Sequence, residues 1–97
     1  MAFGQQKAQR VQETSLNIGQ EWTALQGTTV LPRRFAVEVY NRSNRKLFLS
    51  YSNTQNIRAA KALGGAEGKV EPAESALTLY GRAASSTIRV MVTEYGH

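Results

Sequence analysis

RFAVEVYNRSNRKLFLSYS (34–52) alternates apolar and polar residues on either side of a turn-forming centre. In RFAVEVYN (34–41), Phe35, Val37 and Val39 fall on one side of an extended chain, and Ala36, Glu38 and Tyr40 on the other. A period of two marks a half-buried β-strand, because successive side chains leave the pleat on opposite faces. KLFLSYS (46–52) continues the alternation. Between the two lies NRSNR (41–45), which is turn chemistry: Asn and Ser bond nearby backbone, and Asn tolerates a left-handed conformation. The two runs are expected to form an antiparallel hairpin with a short loop.

The same period extends outward in both directions. RVQETSLNI (10–18) reads as a weak strand ended by Gly19, EWTALQ (21–26) follows, and Gly27 marks a turn before Pro32. SALTLYG (75–81), the small-residue loop GRAASS (81–86) and TIRVMVTEY (87–95) close the chain. The last run is rich in β-branched residues, which suit a pleated, half-buried surface. QNIRAAKALGG (55–65) departs from the pattern: Asn56 could cap a helix and Gly64-Gly65 end it. One short helix in the 53–68 loop, or an irregular loop, both fit these letters. Gly68 and Pro72 bracket a short segment, KVEP.

Six or seven short strands separated by turns imply an all-β fold, a small β-sandwich of jelly-roll-like form. A closed five-stranded barrel is the competitor. Phe35, Val37, Val39, Leu47, Leu49, Leu77, Leu79, Ile88, Val90 and Val92 are expected to fill the core. The polar stretch MAFGQQKAQR (1–10) reads as an N-terminal arm, followed by one domain over 11–97. The opposite strand faces carry Tyr40, Phe48, Tyr80, Met91 and Tyr95. Such faces are usually polar when solvated, so cover from the chain itself or from another subunit is implied.

Composition narrows the function. The chain has 97 residues, a net charge of +5, no cysteine and one histidine, His97, at its last position. All seven acids are glutamates. Thiol nucleophile, internal imidazole and aspartate are therefore missing, and a non-enzymatic role is expected. Glu71 and Glu74 are close, but Pro72 between them argues for a loop. No catalytic residue, cofactor site or metal site is expected. Apolar runs are too short for a membrane span, which takes about 20 residues, and no secretory leader is evident. Trp22 fits either a core plug or a surface that stacks on a sugar.

Charge is uneven. Nine Lys or Arg stand against three Glu through Ala62, and three against four thereafter. Arg33 and Arg34 precede a strand, while Arg42, Arg45 and Lys46 lie in or beside the expected hairpin loop. A basic patch of this kind suits an acidic protein surface. Nucleic acid is the weaker partner, since there is no RNP-like run and no Gly-rich phosphate loop.

Three stretches carry a family likeness: RFAVEVYNRSNRKLFLSYS (34–52), PAESALTLYG (72–81) and STIRVMVTEYG (86–96). Over residues 11–96 the layout resembles small structural proteins of tailed bacteriophage virions. It looks like a capsid decoration (cement) protein, or a small module of a head fibre or tail appendage. The resemblance implies a non-enzymatic β-sandwich on the capsid exterior, assembled in the host cytoplasm and bridging major capsid protein subunits. It also implies a homo-oligomer, commonly a trimer. A receptor- or glycan-binding fibre module and a small basic nucleic-acid-binding β-protein are the alternatives. Phe3 and Lys7 in the arm, with Arg33, Arg34, Arg42, Arg45 and Lys46, are the expected contact residues. Tyr40, Phe48 and Tyr80 are the expected subunit–subunit face.

Overall fold

The computed structural model describes residues 10–54 and 60–97. They form eight strands: β1 (Arg10–Ile18), β2 (Thr23–Ala24), β3 (Arg34–Asn41), β4 (Leu47–Ser50), β5 (Lys61–Leu63), β6 (Gly68–Pro72), β7 (Tyr80–Ala83) and β8 (Ile88–Gly96). One sheet has the order β1-β8-β3-β6 and the other β2-β7-β4-β5. Every pairing is antiparallel. Two four-stranded antiparallel sheets, with the chain crossing between them after most strands, make a jelly roll. The expected all-β sandwich is thus the fold.

The interior follows strand parity. Val37, Val39, Leu47, Leu49, Leu79, Ile88, Val90 and Val92 are all buried, joined by Ile18, Leu25 and Leu63. Each large apolar side chain withdrawn from water contributes about 1.5–3 kcal/mol. Two of the expected core residues lie elsewhere. Leu77 is 42% exposed, because the seventh strand begins only at Tyr80. Phe35 is half-buried, because the β3–β8 register shifts between Arg34 and Ala36. That irregularity turns the Arg34 side chain inward and leaves Phe35 against His97, ring centroids 4.7 Å apart.

The hairpin expected over 34–52 is not formed. β3 pairs with β8 and β6, and β4 with β7 and β5. The 41–45 turn is a corner that carries the chain from one sheet to the other. Asn41 builds that corner from inside. It is fully buried, and its Nδ2 donates to the carbonyls of Arg45 (2.6 Å), Gly64 (3.2 Å) and Leu63 (3.3 Å). Its Oδ1 accepts from the backbone N–H and the hydroxyl of Ser43. One buried amide therefore ties the β3–β4 corner to the β5–β6 corner.

Lys61–Leu63 is a strand, not part of a helix, and no helix occurs among the described residues. The rest of the expected helix, 55–59, lies outside them. So do residues 1–9 of the expected arm; Arg10 already belongs to β1.

Candidate functional site

β3 runs from Arg34 to Asn41 without a break. At about 3.3 Å per residue, Arg33 and Arg42 are some 30 Å apart, at opposite ends of the sandwich. The expected patch of Arg33, Arg34, Arg42, Arg45 and Lys46 is therefore not one surface. Arg33 sits in the turn before β3 with a left-handed backbone, φ 56°, its carbonyl accepting from the N–H of His97. Arg34 is only 3% exposed and is unavailable to any partner. Phe3 and Lys7 lie outside the described residues.

What the fold does gather is a different set. Arg42, Arg45 and Lys46 are exposed on the β3–β4 corner, and Arg89 is exposed near the start of β8. The backbone N–H of Arg42 donates to the Arg89 carbonyl at 3.1 Å. Arg45 Nη1 reaches Ser85 Oγ, in the β7–β8 loop, at 3.4 Å. Arg82, half-buried near the end of β7, is registered against Phe48. Five cations thus lie toward one end of the sandwich, Arg82 and Arg89 on the outer faces of opposite sheets, with Glu21 and Glu67 on described loops there. Arg82 and Arg89 could not be read as members from the sequence, because antiparallel pairing brings them in from distant parts of the chain.

Tyr40, Phe48 and Tyr80 do not share a face. Tyr40 points outward from the β1-β8-β3-β6 sheet, registered against Met91 and Gly68. Phe48 and Tyr80 point outward from the other sheet, beside Arg82 and Ala24. The two faces are the opposite sides of the sandwich.

At the far end lies a buried ionic centre. Arg34 Nη1 is 2.9 Å from Glu94 Oε2, and neither side chain has any solvent exposure. Glu94 also accepts from Gln12 Nε2 and the Gly27 N–H, both at 2.8 Å, and from the Leu31 N–H at 3.1 Å. Arg34 further donates to the carbonyls of Ala73, Glu74 and Leu77. Burial pushes the Glu94 carboxyl upward, but the bonds from Gly27, Gln12, Leu31 and Arg34 outweigh it and hold it below the usual carboxylate range. With every polar position occupied, this centre is a structural clamp on two end loops. It offers no free group for chemistry.

A second buried carboxylate is less well served. Glu71, on edge strand β6, is 5% exposed and borders a cavity of about 190 Å³ with Leu49, Ser50, Tyr51, Ala60, Lys61 and Leu79. Lys69 Nζ lies 3.2 Å and Lys61 Nζ 3.7 Å from its Oε1 as ion-pair partners, and no described residue makes a hydrogen bond to that oxygen. The Tyr51 hydroxyl donates to the Pro72 carbonyl at 2.8 Å, with Glu71 Oε2 at 3.3 Å. Burial, then the charge and hydrogen bond of Glu71, push the Tyr51 phenol up to about 12. The cluster keeps charge between the edges of the two sheets, a known guard against edge-to-edge association.

No protein-family model matches the sequence, and no curated protein matches it. Solved structures do. An RmlC-like cupin protein from Desulfovibrio desulfuricans superposes with a TM-score of 0.58 at 14% identity, over 93% of this chain and 76% of that one. A cupin domain from Bordetella pertussis gives 0.57 at 12% identity, over 96% and 88%. The chain shares the cupin fold. At these identities the likeness is one of fold alone. A metal on such a scaffold needs several donor side chains together, and no group of three His, Cys, Asp or Glu that could hold an ion occurs among the described residues. The single histidine is at the last position, against Phe35. The residues present do not fit a metal centre.

Proposed function

We propose that this protein acts by binding rather than by catalysis, as a virion structural protein that decorates a bacteriophage head. In this reading the basic end, Arg42, Arg45, Lys46, Arg82 and Arg89, docks on an acidic outer surface of the major capsid protein. The observation that carries it is the exposed group Arg42, Arg45 and Lys46 on the hydrogen-bonded β3–β4 corner, with Arg82 and Arg89 on strands that end nearby. Corners held by Asn41 and by strand pairing present charge with little ordering cost on binding. A protein that binds the assembled shell and not its separated subunits shifts the equilibrium toward assembly, and many copies multiply a modest contact. The jelly roll, a fold found among viral capsid and lectin domains, suits the role without specifying it.

The test is co-sedimentation of purified protein with undecorated shells across a salt series. Binding that raises shell stability and weakens steeply with salt is expected. Shells that take up no protein overturn the reading.

A glycan-binding fibre module is the second reading, favoured by the cavity of about 190 Å³ that Tyr51 and Glu71 border. A carboxylate acceptor beside an aromatic ring can hold a sugar hydroxyl. Monosaccharide titration followed by the chemical shifts of Leu49, Ser50 and Leu79 tests it. Saturable shifts lost in Glu71→Ala are expected, and unmoved shifts overturn it.

A further inference from the structure

The two sheets have four edges, and three are protected. β2 is two residues long. β5 is three residues long and carries Lys61. β6 has Lys69, Pro72 and the inward-facing Glu71. Short length, lysine, proline and inward charge are the devices by which sheet edges avoid pairing with another chain.

The fourth edge has none of them. β1 is a nine-residue strand paired along its whole length with β8, from Arg10↔Gly96 to Ile18↔Ile88. Its register has no bulge, and its sequence RVQETSLNI contains no proline or lysine. No backbone hydrogen bond from any other described residue reaches it. Among the described residues its second row of N–H and C=O groups therefore has no backbone partner, and Val11 on its outer face is 56% exposed.

We propose that β1 pairs with β1 of a second copy of this chain, antiparallel about a two-fold axis, so that two four-stranded sheets become one of eight strands. The strand's own sequence selects the register. With Thr14 opposite Thr14, all nine residues pair and side chains keep their faces. Glu13 then meets Ser15, Val11 meets Asn17, and Gln12 meets Leu16. No like charges oppose one another, and a central Thr–Thr pair is favourable. Sliding by two residues in one direction sets Glu13 against Glu13; in the other direction it leaves Arg10 and Val11 unpaired. Both slides shorten the ladder to seven residues.

The symmetry follows from the edges. A ring of three built by sheet extension needs two different open edges on one sheet, and the other edge here is the protected β6. A self-complementary edge closes as a two-fold dimer. The antiparallel arrangement puts the two basic ends at opposite ends of the dimer. The inference stands apart from the docking reading, since it requires no shell.

Sedimentation of the full chain over a concentration series tests it, with two substitutions on the exposed outer face of β1. Ser15→Glu brings a carboxylate opposite Glu13 of the second copy, twice per dimer. Ser15→Lys brings an ammonium to the same two places. A dimer weakened about ten-fold by Ser15→Glu and tightened by Ser15→Lys is expected, because like charges directly opposite across strands repel and opposite charges attract. A chain that stays monomeric throughout the series, or a dimer indifferent to both changes, overturns the proposal. Ser15 is exposed and outward-facing, so both variants keep the core intact.

Discussion

Arg34 and Glu94 meet inside the protein at 2.9 Å, each with no solvent-exposed side-chain surface. The pair is bonded on all sides, to β1 through Gln12, to the 27–31 loop, and to the 73–77 turn. A buried ion pair adds little over a well-packed apolar pair, but breaking it strands a charge. Arg34→Ala is therefore expected to destabilise the fold by about 3–5 kcal/mol, read as a fall in the urea midpoint. Arg34→Met with Glu94→Leu should cost less than the two single changes together. A double variant as damaging as the sum of the singles would show that the pair acts through packing alone.

Acid stability follows from the same carboxylate. The folded chain holds Glu94 below its ordinary value, so the unfolded chain binds the proton more readily. Its contribution is present above the unfolded value, about 4.3, and is lost as pH falls through the folded one. Stability should drop on acidification below about pH 4–5. In Glu94→Gln the starting stability should be lower and this part of the pH slope absent. Denaturant midpoints measured from pH 7 to pH 2 check both.

The alkaline limb belongs to two tyrosines. Tyr95 donates to Glu38 Oε1 at 2.6 Å. That bond, then burial and the charges of Glu38 and Glu13, push its phenol up to about 12, the value also reached by Tyr51. The neutral phenol is favoured in the folded state, so these contributions are present below pH 10 and lost as pH rises toward 12. Absorbance titration should show two phenols ionising near 12, with Glu38→Gln lowering one of them. A titration curve unchanged by Glu38→Gln would contradict the assignment to Tyr95.

Docking by the basic end makes a position-specific claim. Arg42→Glu and Arg45→Glu should weaken binding to shells and flatten its salt dependence, each by about one charge–charge contact. Arg33→Glu, some 30 Å away along β3, should leave binding unchanged. Equal losses from all three would mean that net charge, not this end of the sandwich, drives association.

These residues also show how far the letters could be read. Strand parity placed eight of ten expected core side chains correctly, and the same parity, continued past Ile88, Val90 and Val92, puts Glu94 inside as well. A charged side chain at an interior position was the available sign of the clamp. The 41–45 turn illustrates the opposite case. Turn chemistry marks a change of direction but does not say whether the next strand pairs with the last or crosses to another sheet. The answer lay in β8 and β6, which occupy both edges of β3. Likewise Arg42, Arg45 and Lys46 were legible as a local basic group. Arg82 and Arg89 joined it only through pairings distant in sequence. Arg33 and Arg34, adjacent to a strand in the letters, proved to be at its other end.

A density map of a decorated shell would show which part of the chain holds the capsid. The corner of Arg42, Arg45 and Lys46, with Arg89 beside it, is expected to press against an acidic surface of the major capsid protein. A map in which that corner faces open solvent while another part of the chain holds the shell would contradict it.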